Sequence, residues 1–78
     1  MESTLKPRVV ELIAEKAELP VTELELGRTL EDAGLDSLHI MELALTVQKE
    51  FGVTIVEGEL QLEQTVAEVV SHLEARIG

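Results

Sequence analysis

Hydrophobic residues recur at helical spacing in three stretches of the chain, and the first stretch lies near its start. The apolar positions of that stretch share one helical face: Leu5, Val9, Leu12, Ile13 and Ala17. Ser3 or Thr4 offers a capping hydroxyl, and Pro7 lies early enough for a helix to tolerate it. Pro20 ends the pattern, because the residue before a proline avoids helical geometry. We therefore predict a first helix from Ser3 or Thr4 to Ala17.

The second stretch predicts a central helix, Ser37–Phe51. Its apolar residues cover a core-facing stripe and part of the flank: Leu38, Met41, Leu43, Ala44, Leu45, Val47 and Phe51. Ser37 lies where a helix needs a cap, and Gly52 lies where a helix usually stops. The third stretch predicts a last helix from Val66, because Thr65 and Glu68 have the spacing of a capping box. Its apolar series is Val66, Val69, Val70, Leu73 and Ile77.

The connections carry weaker signals. Residues 18–36 lack a long periodic pattern, but they contain apolar residues that we expect to pin the loop across the helix ends: Val21, Leu24, Leu26, Leu30 and Leu35. Thr29 is expected to cap a short helical turn, and Gly34 allows a backbone turn into the central helix. Residues 53–56 favour extended chain without a partner strand, and residues 57–62 are expected to form one short helix.

The predicted fold is all-α: a small four-helix bundle of three longer helices and one short helix, with a long first loop. A chain of 78 residues has room for one core, so we expect one domain that spans residues 1–78. Hydrophobic residues make up 45% of the chain, yet Phe51 is its only aromatic residue. The core is therefore expected to be aliphatic.

The charge balance is strongly acidic, with 16 acidic and 6 basic residues and a net charge of −10. Because Lys and Arg form no cluster, we expect no nucleic-acid partner, and protein partners should present basic surfaces. The chain has no cysteine, no signal-peptide pattern at its N terminus and no apolar run of membrane-spanning length. We therefore expect a cytoplasmic monomer without a membrane partner.

Ser37 has two interpretations from the residues alone. In one it is a helix cap and nothing more. In the other it is a hydroxyl held at the positive end of a helix, where an attached phosphate is stabilised. The preceding Asp36 places favourable negative charge near the helix start in either case.

Several short motifs occur in a fixed order around this serine. They are Gly34-Leu35-Asp36-Ser37-Leu38 at the start of the central helix, Glu42 one turn later, Phe51-Gly52 at its end, then Ile55 and Thr65-Val66. In this order and spacing the chain resembles the acyl carrier proteins over almost its whole length. The resemblance implies that a phosphopantetheinyl transferase attaches 4′-phosphopantetheine to Ser37, and that acyl groups are carried as thioesters on this arm. The lack of cysteine fits, since the chain has no thiol of its own.

The resemblance also implies a carrier and not an enzyme, with acyl-transferring and ketosynthase-type enzymes as further partners. We expect them to dock on the exposed side of the central helix, where Asp36 and Glu42 supply charge and Met41 and Leu45 supply apolar contact. The alternatives are burial of the two apolar residues and a purely solvated Glu42. The two histidines are interpreted as isolated surface residues that serve neither as a base for Ser37 nor as part of a metal site.

The sequence departs from the family's fatty-acid members at two places. Those members usually carry more acidic residues along the second helix and a Pro-acidic pair after the extended linker. Here His39, Gln48 and Lys49 dilute the acidity, and Val56-Glu57 replaces the pair. Fatty-acid and polyketide-type biosynthesis therefore both stay open. So do two other classes of protein: a peptidyl or aminoacyl carrier, and an acidic helical adaptor without a prosthetic group.

Overall fold

A computed structural model describes residues 5–78 as three α-helices joined by long, turn-rich connections. They are α1 (Leu5–Ala17), α2 (Ser37–Phe51) and α3 (Val66–Ile77), with one short 3₁₀ helix at Val21–Glu23. Helix α1 packs against both α2 and α3. The described residues form no β-strand, and a single antiparallel bridge joins Thr29 to Thr65. The all-α prediction is confirmed, as are the three long helices.

The core is aliphatic and lies between the three helices. The fully buried side chains come from all three helices and from the first connection: Val9, Leu12, Ile13, Leu30, Leu43, Val47, Val66, Val69, Val70 and Leu73. Phe51 is only half-buried, at the edge of this cluster. Each helix contributes the apolar face that its sequence pattern predicts. Among residues 5–78, no helix has the length and hydropathy needed to cross a lipid bilayer.

The long first connection is held by its backbone as well as by its apolar residues. The first two backbone N–H groups of α3, at Val66 and Ala67, donate to the carbonyls of Arg28 (2.8 Å) and Leu26 (2.9 Å). These donors lack partners within the helix itself, so the loop completes the start of α3. The predicted capping box adds Glu68 N–H to Thr65 Oγ1 at 3.1 Å.

Two expectations about the connections are wrong. Leu24, Leu30 and Leu35 are buried as predicted, but Val21 and Leu26 are exposed and do not pin the loop. Residues 57–62 form turns and not a fourth helix, because Gly58 takes a φ of 87° that a right-handed helix excludes. The only short helix in the described residues is the 3₁₀ helix. The helical turn predicted at Thr29 is confirmed, since Thr29 Oγ1 accepts the Asp32 N–H at 3.1 Å and the Thr29 carbonyl accepts the Ala33 N–H at 3.0 Å. The predicted capping residues of α1, Ser3 and Thr4, lie outside the described residues.

Candidate functional site

Consecutive residues at the start of α2 have different structural roles. Leu35 is buried, and Gly34, at a φ of 100°, makes the turn before it. Asp36 is the N-cap of α2, since its Oδ1 accepts the backbone N–H of His39 at 3.0 Å. Ser37 is therefore the first residue of the helix, and its interpretation as the cap is wrong. The capping bonds leave the exposed Ser37 hydroxyl unused.

His39 completes this cap from the other direction. Its Nδ1 lies 3.2 Å from the backbone nitrogen of Asp36 and 2.9 Å from Oδ1 of Asp36. The ring nitrogen accepts the amide proton when the imidazole is neutral and donates to the carboxylate when the imidazole is protonated. The expectation that His39 is isolated is therefore wrong. The sequence signal was its place three residues after the cap, where a capping box usually has Glu or Gln.

The carboxylate of Asp36 is a stable negative charge beside Ser37. The backbone N–H of His39 holds the pKa of Asp36 below its usual range, against the opposing effect of desolvation, and the charge of His39 and the N–H of Leu38 add to the lowering. The side chain is nevertheless exposed. Asp36 is thus both a helix cap and a charge that a basic surface can reach.

A set of exposed side chains surrounds Ser37. Four apolar residues are each more than half exposed: Leu38, Met41, Leu45 and Val56. The predicted exposure of Met41 and Leu45 is confirmed, whereas the exposure of Leu38 and Val56 was not predicted from the sequence. Glu42 is also exposed, and its Oε1 lies 4.0 Å from Nζ of Lys16 on α1. We call Leu38, Met41, Glu42 and Leu45 the α2 surface.

A groove of about 380 Å³ starts at Ser37 and separates α2 from residues 53–60. One wall is a single stripe of α2 with steps of three and four residues: Ser37, Ile40, Met41, Ala44, Leu45 and Gln48. The other wall is the connection after α2: Ile55, Val56, Glu57, Gly58 and Leu60. Most of these side chains are apolar. An aliphatic group that starts near Ser37 can leave water by entering this groove.

Glu59 fastens the second wall of the groove to α3. Its Oε2 lies 2.7 Å from Nε2 of His72 and accepts from Nε of Arg76 at 2.6 Å, while its Oε1 accepts the Val56 N–H at 3.1 Å. Arg76 also donates to the carbonyl of Thr54. The hydrogen bond from Arg76, only partly offset by desolvation and reinforced by His72, lowers the pKa of Glu59 to about 2. His72 is therefore not isolated either.

Comparison with known proteins agrees with this architecture. Residues 7–73 match the family model of the phosphopantetheine attachment site. An acyl carrier protein of Amoebophilus asiaticus is 36% identical over 76 residues, which cover 96% of this chain and 95% of that protein. An acyl carrier protein of Exiguobacterium sibiricum is 36% identical over 88% of this chain and 89% of its own length, and one of Thermotoga maritima is 31% identical over 91% and 89%. With matches of this length and a groove that opens beside an exposed serine, the chain belongs to the family of acyl carrier proteins, which hold covalent 4′-phosphopantetheine and are carriers, not enzymes.

Proposed function

We propose that Ser37 is the residue that carries 4′-phosphopantetheine, and that the chain carries acyl groups in fatty-acid or polyketide-type biosynthesis. The observation that carries this proposal is the exposed Ser37 hydroxyl, which lies on the first residue of α2 and at the rim of an apolar groove. The chain has two other serines, Ser3 and Ser71. Ser3 lies outside the matched residues, and Ser71 lies on α3 and does not line this groove.

The residues around Ser37 fit the attached group. Because Asp36 caps α2, the Ser37 hydroxyl is free to form an ester without loss of a capping bond. The positive end of the α2 dipole favours the negative charge of a phosphodiester at this position. When bound, the arm supplies the thiol that holds the acyl group, and the chain has no cysteine that could compete for it.

The groove favours acyl cargo over aminoacyl or peptidyl cargo. Its two walls are lined mainly by aliphatic side chains, and burial of a methylene group contributes about 0.8 kcal/mol. A peptide would place its amide groups against the same apolar surface and lose hydrogen bonds to water. The family match likewise favours a carrier over an adaptor without a prosthetic group.

The α2 surface and Asp36 are the proposed docking site for the transferase and for enzymes that act on the cargo. Met41 and Leu45 are exposed apolar side chains on either side of Glu42 along the helix, and Asp36 adds a charge beside Ser37. This composition suits a partner with a basic rim around an apolar patch. A monomeric state and a cytoplasmic location belong to the same proposal.

The test is intact-mass analysis after incubation with coenzyme A and a phosphopantetheinyl transferase of broad specificity. We expect the wild type and Ser71→Ala to gain one arm and Ser37→Ala to gain none. An unmodified wild type with an active transferase would refute the carrier proposal. An arm on Ser37→Ala would refute the assignment to Ser37. Turnover of the loaded carrier by fatty-acid or polyketide-type ketosynthases then distinguishes the two pathways.

A further inference from the structure

We propose that Gln48 is a specificity-determining residue, whose hydrogen bond to Ile55 closes the far end of the groove and limits the length of the aliphatic chain that enters. This inference rests on the proposed function, because it assumes cargo tethered at Ser37. Gln48 is the last α2 residue that lines the groove. Its Oε1 accepts the backbone N–H of Ile55 at 2.9 Å, so the side chain reaches from one wall to the other.

The Gln48–Ile55 hydrogen bond matters because the second wall of the groove, residues 53–60, has few polar attachments to the helices. Residues 53–60 make no backbone–backbone hydrogen bond to another element within residues 5–78. On the α3 side the wall is held by Glu59 and Arg76, and on the α2 side the Gln48–Ile55 bond is its polar attachment. The buried side chains of Ile55 and Leu60 also hold the wall against the core. Its polar anchors are the Glu59 network along α3 and the single side chain of Gln48 along α2. Loss of the Gln48 bond removes the polar attachment on the α2 side and loosens that side, while the α3 anchor stays in place.

The position of Gln48 sets a length scale. It lies eleven residues after Ser37, which at 1.5 Å per residue is about 16 Å along the helix axis. An acyl chain that is held on the arm and enters the groove at its Ser37 end would meet the Gln48 amide at the end of the stripe. To pass, it must displace a carboxamide that satisfies a part-buried amide N–H. Methylenes beyond this point then remain in water and gain nothing from burial.

Three substitutions at Gln48 form a matched set of variants. Gln48→Glu keeps the length of the side chain and an oxygen that accepts the Ile55 N–H. Gln48→Met keeps a similar length but removes the acceptor, and Gln48→Ala removes both the acceptor and the bulk. Gln48 is half-exposed, and all three replacements are good helix formers, so α2 should persist. Circular dichroism confirms this before any other measurement.

The first measurement is amide hydrogen exchange of Ile55 in the protein without an arm. We expect Ile55 to exchange up to about tenfold faster in Gln48→Met and Gln48→Ala than in the wild type, and Gln48→Glu to remain protected. This readout does not depend on the carrier function. Equal exchange at Ile55 in all four proteins would overturn the proposed bond.

The second measurement uses each protein loaded at Ser37 from saturated acyl-coenzyme A thioesters of increasing length, with loading verified by intact mass. We expect the melting temperature to rise with each added methylene and then to level off. The levelling point should be the same in the wild type and Gln48→Glu. In Gln48→Ala the levelling point should move to chains longer by about three methylenes, since the lost side chain spans roughly three C–C bonds. In Gln48→Met the levelling point should also move to longer chains.

The outcomes separate the two proposals. A wild type that gains no arm refutes the proposed function and this inference with it. Complete loading with one common levelling point in all four proteins refutes the role of Gln48 alone. A shift in Gln48→Ala without a shift in Gln48→Met also refutes it, because bulk and not the hydrogen bond would then close the groove.

Discussion

The α2 surface combines one charged residue and three apolar residues, and substitutions at Glu42 and Met41 should separate the effects of charge and apolar contact on docking. Charge on the rim of an interface mainly raises the association rate, whereas apolar burial mainly slows dissociation. Glu42→Lys should therefore slow association with the phosphopantetheinyl transferase and weaken its dependence on salt. Met41→Ala should leave association almost unchanged and speed dissociation. Both variants should stay folded, because both residues are exposed.

The structure sets the size of each effect. Met41 is 60% exposed, and full burial of a Met side chain is worth about 1.5–3 kcal/mol. Docking that covers the exposed part gains about 0.9–1.8 kcal/mol, which corresponds to a roughly 5- to 20-fold faster dissociation of Met41→Ala. A rim charge contributes about 0.2–1 kcal/mol. A lysine at position 42 would also lie near Lys16, which adds repulsion.

Stopped-flow measurements at two salt concentrations give both rate constants. Glu15→Lys is the control for charge, because Glu15 is exposed on α1 and the substitution changes the net charge by the same amount. Val21→Ala is the control for apolar truncation, since Val21 is exposed on the 3₁₀ helix. If Glu42→Lys associates at the wild-type rate and with the wild-type salt slope, partners land elsewhere. If Glu15→Lys slows association as much as Glu42→Lys does, the net charge of the protein and not the position of Glu42 sets the association rate.

Three further predictions concern stability. Added salt, and Mg²⁺ more efficiently, should raise the melting temperature at pH 7, because it screens the repulsion among 16 acidic residues that 6 basic residues cannot balance. A melting temperature that falls with added salt would contradict this. Glu18 has a φ of 59°, so Glu18→Gly should raise the free energy of unfolding in urea by about 0.5–1 kcal/mol, whereas Glu15→Gly inside α1 should lower it by about 1 kcal/mol. The lowered pKa of Glu59, about 2, means that its stabilisation is complete above its ordinary pKa of about 4.3 and is lost as pH falls towards 2. The difference in melting temperature between the wild type and Glu59→Gln should therefore shrink over that range, and a constant difference would refute the role of this carboxylate.

The helices were predictable from the sequence because each carries a complete periodic face and a recognisable end. The connections were predictable only in part, since most of their structure depends on contacts between distant residues. The β-preferring residues 53–56 form neither helix nor strand, as expected, but Gly58 has a φ of 87° and excludes a helix in the residues that follow. Glu59 and His72 are 13 residues apart and meet only when α3 packs. The bridge from Gln48 to Ile55 likewise depends on where residues 53–60 lie.

At the candidate site, the sequence located Ser37 at the start of α2 but not the residue that caps it. Asp and Ser are both good N-caps, so two adjacent candidates cannot be separated by preference alone. The three-residue step from Asp36 to His39 decides the matter, because both backbone N–H groups of the cap are satisfied in that register. The exposure of Met41 and Leu45 was predictable from their place beside the core stripe. Their contact with partners remains a prediction.

The division of tasks between Asp36 and Ser37 leads to a last prediction about loading. Asparagine caps a helix about as well as aspartate but carries no charge, whereas alanine does not cap. Asp36→Asn should therefore keep nearly the wild-type melting temperature and slow association with the transferase, while Asp36→Ala should lower the melting temperature as well. Ser37→Ala should change the free energy of unfolding by no more than about 0.5 kcal/mol, because the cap does not use its hydroxyl. If Ser37→Ala destabilised the protein as much as Asp36→Ala, the serine would be part of the cap. Attachment of the arm would then weaken the very helix on which partners dock.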